Sequence, residues 1–232
     1  MKKIENREQL NHYLKAYQLE SIFNESLIEH LSLYSFNQGE DICSQGDSSH
    51  YLYILVKGKI KVFTTSLEGR KLILSFKNPL YLIGDIEYVQ DIDIINTVEA
   101  VSPVIMIGIQ YQWLKKYGSD YTPLLQFLLE TISRKFHIKS NFFSFNLLYP
   151  VEVRLASYLL SISFDESDAQ YDGGLSTNSL RDVADLIGTS YRHLNRVIQQ
   201  LCKEGLIERT KDSIHVTDRE ALSTLANHNI YE

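Results

Sequence analysis

Apolar positions recur at helical spacing between residues 5 and 31, at Leu10, Tyr13, Leu14 and Tyr17 and then at Leu27, Ile28 and Leu31. That period predicts short helices at the start of the chain. From about residue 33 it shortens to runs of Tyr, Ile, Val and Phe, broken by "NQGED", "SQGDSS", "LVKGKI", "SLEGRK", "KNP" and "IGD". Strands of about five residues at such even spacing, continuing to about Ile109, predict an antiparallel β sandwich or roll. Gly39, Gly46, Gly58 and Gly69 mark its corners, where a positive φ is needed.

The helical period returns at "YTPLLQFLLETISRKFHIKSNFFSF", with Thr122 as N-cap and Pro123 in the first turn, and runs to about residue 146. Leu124, Leu128, Thr131, Lys135, Ile138, Phe142 and Phe145 fall at alternating steps of four and three, a heptad-like seam with two polar interruptions. A second stripe, Leu125, Leu129, Ile132 and Phe136, lies beside it. Two apolar faces need two covers. The β domain supplies one, and the other is a partner helix from a second copy, giving a homodimer through Leu124, Leu128, Ile138, Phe142 and Phe145. Complete burial inside one monomer is the alternative.

Pro150 breaks the pattern, "VEVRLASYLLSI" gives another amphipathic helix, and the polar loop "SFDESDAQYDGG" leads into the final segment. There Leu180, Val183, Ala184 and Ile187 sit at i, i+3, i+4 and i+7 before Gly188, which suits the left-handed end of a helix. Ser190 caps a second helix in which Leu194, Val197, Ile198 and Leu201 repeat the spacing until Gly205. Helix, tight turn and helix meet the geometric needs of a DNA-binding helix-turn-helix, and equally of a structural αα-hairpin. "IERTKDSIHVT" then alternates Ile207, Arg209 and Ile214, Val216 around Lys211 to Ser213, a hairpin in the place of a wing. The predicted domains are residues 1–118, a long helix 119–147, and 148–232.

The second helix opens with Ser190, Tyr191, Arg192, His193, Asn195 and Arg196. In a helix-turn-helix that end enters the major groove. Arg192 and Arg196, four apart on one face, can each bond guanine bidentately, Asn195 can read adenine, and Ser190 with the first backbone N–H groups suits phosphate. His193 is by type an ordinary surface histidine as readily as a base reader, and Tyr191 can simply pack on the first helix.

Charge changes the picture only when it is localised. The formal net charge of the 232 residues is −6, which argues weakly against nucleic acid. Between Tyr191 and Lys211, however, Arg192, Arg196, Lys203, Arg209 and Lys211 stand against Glu204 and Glu208. Asp165, Glu166, Asp168 and Asp172 precede the motif and can face away from it. With 44% hydrophobic and 22% charged residues the composition is that of a folded globular chain. No run approaches the roughly 18 apolar residues of a membrane span and the N-terminus lacks an apolar signal core, so a cytoplasmic protein without membrane contact is expected. Cys43 and Cys202 lie outside any metal-type spacing and read as reduced thiols.

Taken together, "NQGEDICSQGDSSHYLYILVKGKIKVF", "LIGDIE", the long helix, "VEVRLASYLL" and the winged helix-turn-helix resemble the CRP/FNR family of bacterial transcription regulators over nearly the whole chain. "LIGDIEYV" and "GTSYRHLNRVIQQLCKEGLI" look most like its YeiL branch. The resemblance implies an α+β chain: a cyclic-nucleotide-binding-like β roll (jelly roll), a long dimerisation helix and a C-terminal winged helix-turn-helix. It implies a homodimer that regulates transcription from a roughly palindromic DNA operator, with half-sites about one DNA turn apart, and contacts with RNA polymerase. The DNA-contacting set it suggests is Ser190, Tyr191, Arg192, His193, Asn195, Arg196 and, on the wing, Lys211.

Departures from the family pattern bear on the effector. In cyclic-AMP-binding members the turn matching Gly84-Asp85-Ile86 is Gly-Glu-Leu, whose acid binds the ribose, and an arginine about ten residues on pairs the phosphate. Here the acid is Asp85 and the arginine position falls on Ile94 or Ile95. Burying a phosphate without a cationic partner is costly, so cyclic AMP is not expected. Lys139 and Ser140 stand where the family places base contacts, so Gly84, Asp85, Ile86 and Ser140 are the effector candidates, with a turn kept only for folding as the alternative. No cysteine precedes Cys43, so neither an iron–sulfur cluster nor a haem is expected. Cys43 is open between a redox contact and an inert buried thiol.

Two rival classes remain. A metal-dependent oxygenase built on the roll needs convergent histidines. Only His50 lies in the roll, with His12, His30 and His137 in separate segments, so no enzyme is expected. A sensor or interaction module would turn its helix-turn-helix to protein instead of DNA.

Overall fold

The computed structural model describes residues 1–69, 71–163, 175–177 and 180–227. The predicted loop beyond Ser163, residues 164–174, with its acidic residues Asp165, Glu166, Asp168 and Asp172, lies outside the described residues. By its internal contacts the chain divides into two compact units, residues 1–62 with 77–137, and residues 63–76 with 138–232.

The first unit opens with strand β1 (Lys2–Ile4), which the periodicity did not reveal, followed by helices α1 (Arg7–Ala16) and α2 (Glu25–His30). Asn6 and Asn24 start these helices, their side chains accepting from the Gln9 and Leu27 amides at 2.9 Å each. Then come β2 (Ser32–Phe36), β3 (Asp41–Cys43), β4 (Tyr51–Lys57), β5 (Ile60–Thr65), β6 (Lys71–Lys77), which falls with the second unit up to Phe76, β7 (Leu82–Ile83), helix α3 (Asp85–Gln90), β8 (Thr97–Ala100), β9 (Val104–Gln110) and helix α4 (Tyr111–Tyr117). The strands form two sheets ordered β1-β2-β9-β4-β7 and β3-β8-β5-β6, and the neighbours of the first sheet, β1 with β2, β2 with β9, β9 with β4 and β4 with β7, pair antiparallel. This is the expected roll.

Alternation along β4 shows why it holds. Leu52, Ile54 and Val56 point to a core shared with Leu10, Leu14, Phe23 and Leu114 of the helical side, whereas Tyr53 and Leu55 point to the core between the sheets with Phe36, Val98 and Met106. Each such side chain is worth about 1.5–3 kcal/mol on burial. Of the corners, Gly58 is the most constrained: its φ is +86° and a Cβ would lie 2.4 Å from the Pro103 carbonyl.

Helix α5 (Thr122–Leu148) is unbroken over 27 residues, on the order of 40 Å. Its faces correct the sequence reading. Leu124 and Leu128, expected on the dimer seam, are 0% and 3% exposed inside the core of the first unit. Phe142 and Phe145 pack against the core of the second, and Ile138 on the same face is half-buried. The outward face carries the other stripe: Leu125, Leu129, Phe136, Phe143 and Leu147 are all exposed. Both stripes have heptad spacing, so periodicity could not tell which one the protein covers itself.

The second unit contains α6 (Val151–Ile162), β10 (Leu175–Ser176), α7 (Leu180–Leu186), α8 (Tyr191–Lys203), β11 (Ile207–Arg209), β12 (Ser213–Val216) and α9 (Arg219–Leu225). One core gathers Leu155, Leu159, Leu180, Val183, Ile187, Leu194, Ile198, Leu201, Ile207 and Leu222. Leu72, Ile73 and Phe76 of the β5–β6 hairpin pack on it. The wing is a three-stranded sheet, β10-β12-β11, one strand more than the expected hairpin.

Candidate nucleic-acid interface and effector turn

Helix α7 ends as its sequence requires. Gly188 has φ +67°, and the Thr189 amide bonds back to the Ala184 carbonyl at 2.8 Å. A residue missed in the sequence braces this turn. Arg154 of α6, only 9% exposed, donates through Nη1 to the Ile187 carbonyl, so a cation sits against the C-terminal end of α7. The signal was an arginine inside the apolar run "VEVRLASYLL".

Helix α8 begins on Ser190, whose Oγ accepts from the His193 amide at 3.2 Å. Gly205, φ +75°, lets the Leu206 amide close on the Leu201 carbonyl at 3.0 Å. Leu194, Val197, Ile198 and Leu201 face the core, so Arg192, Arg196 and Gln199 are turned outward and exposed. Neither Arg192 nor Arg196 has an ion-pair or side-chain hydrogen-bond partner among the described residues. Tyr191 is exposed, with the Arg181 guanidinium of α7 5.7 Å from its ring centre, and His193 is half-buried.

Asn195 departs from the expectation of a free adenine reader. Its Nδ2 donates to the Tyr191 carbonyl at 2.9 Å and its Oδ1 accepts from Arg209 Nη1 at 2.8 Å. Lys211 is exposed on the wing turn, and its carbonyl accepts from Thr177 Oγ1 at 3.0 Å. Arg181 and Arg209 thus lie beside the N-terminal half of α8, which carries Arg192 and Arg196, and Lys211 stands two residues beyond Arg209 on the wing turn.

At the second candidate site, Gly84 has φ +86°, and a Cβ there would fall 2.4 Å from the Tyr51 carbonyl. Tyr111 Oη donates to the Gly84 carbonyl at 2.7 Å. Asp85 is 2% exposed and is not open to a ligand on its Oδ1 side: Lys135 Nζ, from α5, lies 2.7 Å away. The same ammonium donates to the Leu82 carbonyl at 2.9 Å and lies 4.4 Å from the centre of the Tyr81 ring. Asp85 Oδ2 is buried without a hydrogen-bond partner among the described residues. Ile86 is half-buried, Ile94 is buried, Ile95 is exposed, and Ser140 is exposed on α5. Glu87, nearly buried, accepts from the Ile95 amide at 3.2 Å and so fixes the segment where the resemblance puts an arginine. Burial, then the Asp85 and Glu87 charges, push the Tyr81 hydroxyl pKa upward.

Among the described residues no cluster of three or more His, Cys, Asp or Glu side chains is placed to hold a metal ion, and no helix is long and apolar enough to cross a membrane.

Two family models match: the Crp-like helix-turn-helix domain over residues 153–225 and the cyclic nucleotide-binding domain over residues 33–120. Among curated proteins, the regulatory protein YeiL of Escherichia coli O157:H7 is 25% identical over 211 residues, covering 89% of this chain and 93% of that protein. A CRP-like cAMP-activated global transcriptional regulator of Mycobacterium tuberculosis H37Rv is 22% identical, covering 87% and 91%. Among solved structures, a transcriptional regulator of the CRP/FNR family from Eubacterium rectale superimposes with a TM-score of 0.68 at 18% identity, covering 93% of this chain and 99% of that one. FixK2 from Bradyrhizobium japonicum gives 0.54 at 19%, covering 84% and 96%.

Proposed function

Since the chain belongs to the CRP/FNR family of transcription regulators and is a CRP-like DNA-binding protein, we propose that it acts as a sequence-specific homodimer on an approximately palindromic operator, without cyclic AMP and without catalysis. The observation that carries this reading is the outward face of α8. A capped helix start presents two arginines four residues apart, Arg192 and Arg196, exposed and without a side-chain partner among the described residues, over a core that fixes their direction. That arrangement suits bidentate recognition of guanine, while the Ser190 end and Lys211 suit phosphate.

The homodimer is supported by the exposed stripe on α5. Leu125, Leu129, Ile132, Phe136 and Phe143 follow heptad steps, and all but the half-buried Ile132 lie open on a single face. A second copy of the same helix is the natural cover, and a two-fold pair would present two recognition helices to two half-sites. RNA polymerase is the expected protein partner at the promoter.

The M. tuberculosis relative is by name cAMP-activated. The effector turn of the present chain argues against carrying that ligand over. Lys135 already neutralises Asp85, and apolar Ile94 and Ile95 stand where a phosphate would need a cation. A ribose hydroxyl could reach Asp85 only in competition with Lys135, and a phosphate desolvated beside Ile94 would lack the cation it needs.

Selection of genomic fragments by the purified protein at two salt concentrations, with and without cyclic AMP, tests the reading. A palindromic motif recovered equally in both arms is the expected result. Recovery of motif-free, salt-sensitive DNA would overturn sequence-specific reading, and a motif that requires cyclic AMP would overturn effector independence.

A further inference from the structure

The wing and the recognition helix meet at a polar contact, the hydrogen bond from Arg209 Nη1 to Asn195 Oδ1. Its geometry assigns roles to both residues. A bidentate bond to adenine uses the Oδ1 and Nδ2 of an asparagine together. In Asn195 both are engaged, one by Arg209 and the other by the Tyr191 carbonyl, so reading adenine would cost two existing bonds. Asn195 is instead built as a bracket. Its carboxamide is fixed to the helix backbone at one end and holds a guanidinium at the other.

Arg209 is exposed and keeps the rest of its N–H donors after that one bond. It is also on a stiff mount. On β11 it faces the same side as buried Ile207, and it pairs across the hairpin with Ile214. The turn beyond it is tied by Thr210 N to the Ser213 carbonyl at 2.8 Å and by Ser213 N to Thr210 Oγ1 at 3.0 Å. Thr177 secures the turn from outside, its amide bonding the Asp212 carbonyl at 3.0 Å. A planar donor fork held in this way has already lost the rotamer freedom that recognition would otherwise cost. Asn195 lies three residues after Arg192 and one before Arg196, so the bracket sets Arg209 beside the outward arc of α8.

We propose that Arg209 is a specificity-determining residue that reads a guanine next to those contacted from α8, and that Asn195 is its positioning residue. The inference rests on the DNA-binding reading given above. It extends the recognition surface from one helix to a helix and a wing strand, and it removes Asn195 from the set that touches bases.

The test is in vitro selection from a randomised DNA library with the full chain and with Arg209→Ala, Arg209→Lys, Asn195→Ala, the double variant, and Arg196→Ala as control. Arg209→Ala is expected to flatten the preference at one base pair per half-site about tenfold while the other positions stand. Asn195→Ala should weaken the same position, the double variant should look like Arg209→Ala alone, and Arg209→Lys should not restore it, because an ammonium lacks the planar fork. Melting temperatures within a degree or two of wild type keep the readout separate from folding.

A uniform loss at all sites with a salt slope reduced by about one would make Arg209 a phosphate contact and overturn the proposal. So would loss of an adenine at a different position in Asn195→Ala, or no change in Arg209→Ala while Arg196→Ala destroys the motif. If wild type selects no motif and Arg196→Ala changes nothing, the DNA-binding reading itself has failed and this inference falls with it.

Discussion

Lys135 Nζ and Asp85 Oδ1 are 2.7 Å apart, their side chains 18% and 2% exposed, so the long helix supplies the counter-charge to the acid that opens α3. Lys135 was one of the two polar interruptions in a seam of apolar residues. A cation on a helix face that turns inward demands a buried partner, and Asp85 is that partner.

Removing one member of this pair leaves a buried charge alone. Lys135→Met is expected to destabilise the protein by about 3–5 kcal/mol, whereas Lys135→Met with Asp85→Leu should recover most of the loss. Urea unfolding of both singles and the double gives the coupling directly. Equal destabilisation by the double and by the sum of the singles would show that the two charges do not depend on each other.

The two stripes of α5 make opposite predictions. Leu128→Ala should cost about 2–5 kcal/mol of stability and leave the oligomeric state alone, because Leu128 lies in the first unit's core. Phe136→Glu should leave the fold intact and turn the proposed dimer into monomer, because Phe136 is 73% exposed. Sedimentation velocity separates the two.

In the turn of the helix-turn-helix, Ser190→Ala removes the cap bond to the His193 amide, an expected loss of about 1 kcal/mol together with weaker DNA binding. Arg154→Met takes the donor from the Ile187 carbonyl and should lower stability more, since that carbonyl is then buried unpaired. Chemical denaturation and a DNA titration check both.

Burial, followed by the Glu87 charge, pushes the Cys43 thiol up to about 12. The folded value thus lies above the unfolded one. The stability this contributes is whole below about pH 9 and is lost as the pH rises toward the folded value. Cys43 is expected to resist iodoacetamide at pH 8 in the native protein and to react once unfolded, which peptide mass spectrometry reads. Rapid native labelling would instead mark it as a reactive thiol.

The architecture was largely legible because its signals are local. The change of period near residue 33, Gly188 and Ser190 at the turn, and the spacing of Leu194, Val197, Ile198 and Leu201 each depend on neighbours in sequence. What stayed hidden depends on neighbours in space. No periodicity says that Leu124 and not Leu125 faces the roll, that Asp85 is answered by Lys135, or that Arg209 reaches Asn195 fourteen residues back. β1 and β10, three and two residues long, are too short to carry an alternation of their own.

The outward stripe of α5 has one polar member. Continuing its steps from Leu125, Leu129, Ile132 and Phe136, the next position is Lys139, with Phe143 after it. In a parallel pair, with the two-fold axis running along the helices, each of these residues meets its own copy, so two ammonium groups would confront each other in the middle of the pairing. Added salt shields that repulsion and tightens the pair, while the same ions compete with the arginines of α8 for phosphate. Ionic strength therefore drives assembly and DNA affinity in opposite directions. At protein concentrations low enough for subunits to separate, occupancy of the operator should pass through a maximum at an intermediate salt concentration.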